Sequence, residues 1–191
     1  MTLPIIFIIL SSVLTIASTI PYLVEIVRGK TKPRVVSWLT WSVLTAIAGL
    51  ASFSDGQYPA AILMLFATIE TLLIVILGWK HGDRKVERTD VICLIGAAVG
   101  IVLWQIFNSP AIAVIATITI DLVGGIPTIL HSWKKPHEET WITFFLAMLG
   151  GVFTVLAIDA WTVTSVAYPL YLVIINFTYV AILLGRSGVK A

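Results

Sequence analysis

All 12 lysines and arginines of this 191-residue chain sit between or after long apolar stretches, and only at every second boundary. Arg28, Lys30, Lys32 and Arg34 follow the first stretch, and Lys80, Arg84, Lys85 and Arg88 follow the third. Lys134 and Lys135 follow the fifth, and Arg186 and Lys190 follow the last. The alternate connections carry acids alone, Asp55 and Asp159. Short loops rich in Lys and Arg stay on the cytoplasmic side of a membrane. Seven crossings sort the charges in this way and an even number does not. The expected orientation has the N-terminus outside and the C-terminus in the cytoplasm.

Composition agrees. The chain is 59% hydrophobic and 12% charged, with a mean hydropathy of +1.02. A soluble domain is about half apolar and a quarter charged. Spanning helices of about 20 residues, seven times over, leave room for loops and tails but not for a soluble domain. The expected fold class is therefore all-α: a polytopic membrane protein with seven transmembrane helices. Gly, Pro and charge punctuate the stretches, which run over 3–27, 35–53, 58–79, 90–107, 110–133, 140–158 and 162–185. The first reads as a span rather than a signal peptide, because nothing basic follows Met1 and no small-x-small site closes it. Cys93 is the single cysteine, so no intrachain disulfide forms.

The chain also repeats itself. Ile20-Pro21-Tyr22-Leu23 recurs as Ile126-Pro127-Thr128-Ile129, and Lys32-Pro33 as Lys135-Pro136. Ser37-Trp38-Leu39-Thr40 recurs as Thr140-Trp141-Ile142-Thr143, and Leu77-Gly78 as Leu184-Gly185. Residues 1–82 and 110–191 are expected to be two three-helix repeats, with 83–109 supplying a linker helix. An odd linker gives both repeats the same orientation, so they are parallel, with a site at their interface near mid-membrane.

Three helices, a linker and three helices, with a proline late in the first and fifth before a basic loop, resemble the PQ-loop superfamily. That group includes the SWEET-like sugar carriers, lysosomal amino-acid exporters such as cystinosin, and the KDEL receptors. The signature dipeptide reads Pro21-Tyr22 and Pro127-Thr128 here, without the glutamine. Trp38-Leu39-Thr40-Trp41 is similar to the Trp-x-x-Trp of bacterial nicotinamide riboside carriers. The resemblance implies a transporter with Pro21 and Pro127 as hinges, Tyr22 and Thr128 beside them, and Asn176 facing substrate. Glu70 stands near the place where SWEET-like carriers have a second asparagine.

Asp121 and Glu70 are the strongest candidate residues on their own chemistry. Each falls near the middle of an apolar stretch, where a charge costs at least about 2.5–3.5 kcal/mol. No Lys or Arg lies at that depth. Each acid must face water, carry a proton or bind a cation, so both are read as proton-coupling groups. Small and polar residues at helical spacing share a face of helix 5 (Thr117, Asp121, Gly124, Gly125, Thr128, Ser132) and of helix 1 (Ser11, Thr15, Ser18, Tyr22, Glu25). The same stripe serves either helix packing or a cavity wall. Trp41, one turn deeper than Trp38 and on the face of Thr45, is suited to stack on a ring-shaped solute. Its repeat counterpart is Phe144, and that of Thr45 is Met148, which makes the expected pocket asymmetric. Glu25 and His131 each lie four residues past a repeat proline and are expected to meet at a cytoplasmic gate.

These readings converge on a secondary transporter moving a sugar, an amino acid or a vitamin-like solute by alternating access, with protons coupled through Asp121 and Glu70. The short loops are those of a bacterial inner-membrane protein. The expected partners are the solute, the bilayer and protons, with no nucleic acid. No Gly-rich phosphate loop, Ser/His/Asp set or clustered metal ligands occur, so no enzyme activity, cofactor or metal is expected. A KDEL-type peptide receptor on this scaffold needs basic residues inside its cavity. An ion channel is the remaining alternative.

Overall fold

The computed structural model describes residues 2–29, 33, 35–86, 88–134, 136 and 141–186, and of these the side chains of 127, 128 and 131 are outside the description. Seven α-helices account for almost all of it: α1 (Leu3–Val27), α2 (Val35–Ser54), α3 (Tyr58–His81), α4 (Arg88–Phe107), α5 (Pro110–Lys134), α6 (Trp141–Leu156) and α7 (Val163–Arg186). Every end falls within two residues of the expected boundary, and Thr140, the expected start of α6, lies outside the described residues.

Local chemistry sets these ends. Pro4, Pro59 and Pro110 stand in the first turns of α1, α3 and α5, where a missing N–H costs nothing. Gly29 and Gly56 follow α1 and α2 with φ of 68° and 73°, left-handed turns that a side chain resists. The start of α7 is a reciprocal cap: Thr162 N donates to Ser165 Oγ at 2.9 Å, and Ser165 N to Thr162 Oγ1 at 3.2 Å.

Five helices are long and apolar enough to cross a bilayer: α1, α2, α3, α4 and α7. The apolar stretches 110–126 of α5 and Trp141–Leu156 of α6 are shorter. α6 ends where the chain turns at Ala157, whose N–H bonds Phe153 O and Thr154 O at 3.1 and 3.0 Å. Large apolar side chains point outward throughout. Ile76 is 64% exposed and Leu50 62%, and α4 turns Val91, Ile92, Ile95, Val99 and Val102 away from the protein. Water would penalise so continuous a surface; lipid does not.

In order of contact the helices run α1–α3–α2–α5–α7–α6 and back to α1, with α3 touching α7 across this ring and α4 lying outside it against α2 and α5. Small residues allow the close approaches. A side chain at Gly150 would meet Thr15 Oγ1 at 2.8 Å, at Gly151 Val173 Cγ2 at 2.9 Å, and at Gly100 Ala116 Cβ at 2.9 Å. The α2–α3 seam is instead a ladder of hydroxyls. Thr68 Oγ1 donates to Thr45 Oγ1 at 2.9 Å and Ser42 Oγ to Thr71 Oγ1 at 2.8 Å, and each also bonds a carbonyl of its own helix. Such back-bonding satisfies polar groups where lipid offers no partner.

At the basic end of the first three helices, Pro33 is buried against Gly78, where a side chain would lie 2.8 Å from Pro33 Cγ. Val35 N donates to Asp83 O at 2.8 Å, and Asp83 N to Pro33 O at 2.9 Å. The α1–α2 connection is thus clipped to the segment that follows α3. At the other end Ser52 Oγ donates to Thr164 O at 3.0 Å, and Thr164 Oγ1 donates to Asp55 Oδ2. That latch ties α2 to the first turn of α7, where a carboxylate is favoured by the helix dipole.

Candidate functional site

Glu70 and Asp121 both fall within a turn of the middle of their helices, α3 and α5. Both are partly buried, on the sides that pack against other helices. Glu70 follows Ala67 and precedes Ile74 on the buried face of α3, and its Oε2 accepts from Thr19 Oγ1 at 2.5 Å. Thr19 is only 6% exposed on α1. Asp121 lies near Tyr171 and Tyr168 of α7 and interacts with them electrostatically. Tyr168 is 2% exposed and interacts electrostatically with Glu70 as well as with Asp121. The two tyrosine rings lie 5.7 Å apart, edge to face. Four helices therefore contribute to one polar cluster, Thr19, Glu70, Tyr168, Asp121 and Tyr171, in which Thr19 and Glu70 are hydrogen-bonded and the others interact electrostatically. Its partners are hydroxyls, which can donate to a carboxylate or accept from a carboxylic acid. The same side chains serve either protonation state.

The aromatic candidates lie beside this cluster. Trp41 Nε1 is 3.8 Å from the point where a side chain at Gly124 would begin, one turn from Asp121. Its ring meets Trp38 edge to face at 4.9 Å, and Trp38 meets Tyr22 at 5.1 Å. Cys93 Sγ donates to Ile120 O at 3.7 Å and closes the α4 side of the same region. In the second triplet Phe144, the repeat counterpart of Trp41, stacks on Tyr179 at 4.5 Å, and Tyr179 Oη donates to Gly125 O at 3.3 Å.

The other expected residues are distributed more widely. Thr45 is turned to α3 within the hydroxyl ladder. Asn176 is buried and its Nδ2 donates to Leu172 O of its own helix at 2.8 Å. Met148 is partly buried on α6, and Glu25 is partly buried near the end of α1. Pro21 lies inside α1, which continues through it as one helix. The side chains of Pro127, Thr128 and His131 lie outside the described residues, and with them the Glu25–His131 gate. The stripe on α1 is spent on packing: Ser11 Oγ bonds Thr154 Oγ1 at 2.7 Å and Thr15 faces Gly150. Among the described residues no three His, Cys, Asp or Glu side chains come together.

Of two concavities on the bundle, neither has Glu70 or Asp121 among its described lining residues. One, of about 160 Å³, lies at the Asp55 end between Gly56–Pro59 and Ile158–Ala160. The other, of about 470 Å³, opens at the basic end between α5 and α7. No protein-family model, curated protein or solved structure matches the chain.

Sequence reasoning missed Thr19 and Tyr171. For Tyr171 a signal exists: it lies three residues after Tyr168, so both hydroxyls reach one side of α7. Thr19 carries no such mark among the many Ser and Thr of α1.

Proposed function

We propose that this chain is a secondary membrane transporter that moves a small polar solute by alternating access, with Asp121 and Glu70 as its proton-handling carboxylates. The observation that carries the reading is the cluster of Thr19, Glu70, Tyr168, Asp121 and Tyr171, which α1, α3, α7 and α5 bring within electrostatic reach of one another. Intramembrane acids are costly and mark pathways for ions, protons or polar solutes. Hydroxyl partners let each acid keep or give up a proton without losing its contact, and Trp41 beside Gly124 offers an aromatic face to the solute.

In this reading all seven helices cross the membrane, α6 with local thinning of the bilayer, with the N-terminus outside and the C-terminus in the cytoplasm of a bacterial cell. The helix contacts support two parallel triplets, 1–82 and 110–191, joined by 83–109. Exchanging α1 with α5, α2 with α6 and α3 with α7 leaves every contact outside α4 in the set. That invariance is the signature of a two-fold axis, and carriers of this kind rock one repeat against the other around a shared site. The Asp55–Thr164 latch and the Ser11–Thr154 bond join the two triplets toward the outer end. These are the contacts that part when the site opens outward.

The test is counterflow in liposomes loaded with a pH dye, using labelled sugars, amino acids and nucleosides. Saturable counterflow with proton uptake, and loss of the proton signal in Asp121→Asn, is the expected result. A pH-independent rate that survives Asp121→Asn removes the coupling, and an unsaturable conductance replaces the carrier with a channel.

A further inference from the structure

The sequence repeat pairs Leu77-Gly78 at the end of α3 with Leu184-Gly185 at the end of α7, but the surroundings differ. The space beside Gly78 is filled by Pro33. Beside Gly185 no heavy atom of the described residues lies within 4 Å of the point a side chain would occupy. The groove of about 470 Å³ opens there, walled by Trp133 of α5 and by Phe177, Ala181 and Ile182 of α7. Its walls belong to the outer surface of the bundle, for Phe177 is 60% and Trp133 51% exposed. Arg186 closes one end. Its guanidinium carbon lies 4.5 Å from the centroid of the Trp133 ring, and among the described residues its buried Nε has no hydrogen-bond partner. A buried N–H of a guanidinium calls for an acceptor, and the fork of Arg matches a phosphate in charge and geometry. Tryptophan and arginine at a helix end are also what the headgroup layer of a bilayer selects.

We propose that this groove is a binding site for an anionic phospholipid, with the phosphodiester on Arg186 and an acyl chain laid along Phe177, Ala181 and Ile182. Charge decides the class. Arg186 brings positive charge to the groove's end, so a lipid with a net negative headgroup is held and a zwitterionic one gains less. Attraction of this kind amounts to about fivefold in affinity per basic group near the membrane surface.

The experiment is lipid titration of the purified, detergent-solubilised protein, read by native mass spectrometry and by the shift in thermal unfolding. The probes are dioleoylphosphatidylglycerol, dioleoylphosphatidylcholine and inorganic phosphate. The expected result is a preference of about fivefold for the phosphatidylglycerol, abolished in Arg186→Gln and kept in Lys80→Gln, whose residue ends α3 instead. Gly185→Leu fills the groove and lowers retention of both lipids. Equal retention of the two lipids by the unaltered protein overturns the proposal, as does a preference that persists in Arg186→Gln. So does full stabilisation by inorganic phosphate alone. Undiminished lipid retention in Gly185→Leu also overturns it, because the groove is then not the lipid's seat.

Discussion

The first triplet, α1 to α3, and the second, α5 to α7, share a helix order and a sequence pattern, yet they are held together by different chemistry. In the first, hydroxyl rungs join α2 to α3, and a clipped proline closes the basic end. In the second, Gly151 lets α6 and α7 approach until only Val173 and Pro169 fill the gap, and Phe144 stacks on Tyr179. The acid Glu70 reaches across to Thr19, whereas Asn176 turns back on its own helix. The two triplets are alike in the order of their helix contacts and in the punctuation that ends their helices. The seams and the site were free to specialise.

The comparison can be broken most sharply at its ends. Gly78→Val drives a branched side chain into Pro33 and should cost about 3 kcal/mol, the upper range of overpacking, measured by denaturant unfolding of the purified protein. A variant as stable as the original shows that the clip contributes nothing. Gly151→Ala places a methyl against Val173 and Pro169 and should cost about 1–2 kcal/mol; a neutral result in the same assay means that α6 and α7 can separate freely. A double-mutant cycle between Ser42→Ala and Thr71→Val should return about 0.6 kcal/mol, the usual worth of a hydrogen bond between membrane helices. A coupling near zero leaves the ladder as mere shape. Gly185→Ala, the repeat counterpart of the first change, should alter stability by less than about 0.5 kcal/mol, and a loss equal to that at Gly78 erases the asymmetry.

The helices were legible because their boundaries rest on local signals. Pro4, Gly29, Gly56 and the basic clusters act within a turn of where they stand, so α1 was expected at 3–27 and is found there. Glu70 and Asp121 were legible because a lone acid in an apolar run is conspicuous under any packing. The partners were not. Thr19, Thr68 and Thr71 are ordinary residues until the order of the helices around the ring decides what each one faces. Thr45 shows the same gap: it shares a face with Trp41, as its spacing demands, yet its hydroxyl is taken up by Thr68 of α3. The end of α6 was hidden by two residues, since Ala157 and Ile158 prolong the apolar run beyond the point where the backbone turns.

The clip between Pro33 and Asp83 bears on how the chain is born. Among the described residues α1 and α2 do not pack backbone against backbone, and the ring of Tyr22 reaches Trp38. Both lean on α3, and the hydrogen bonds that close their connection come from the residue two past its end. A nascent chain holding only its first two hydrophobic segments therefore has no seam to close. It must wait in the lipid, or in the insertion machinery, until the third emerges some 30 residues later and draws the other two in from either side.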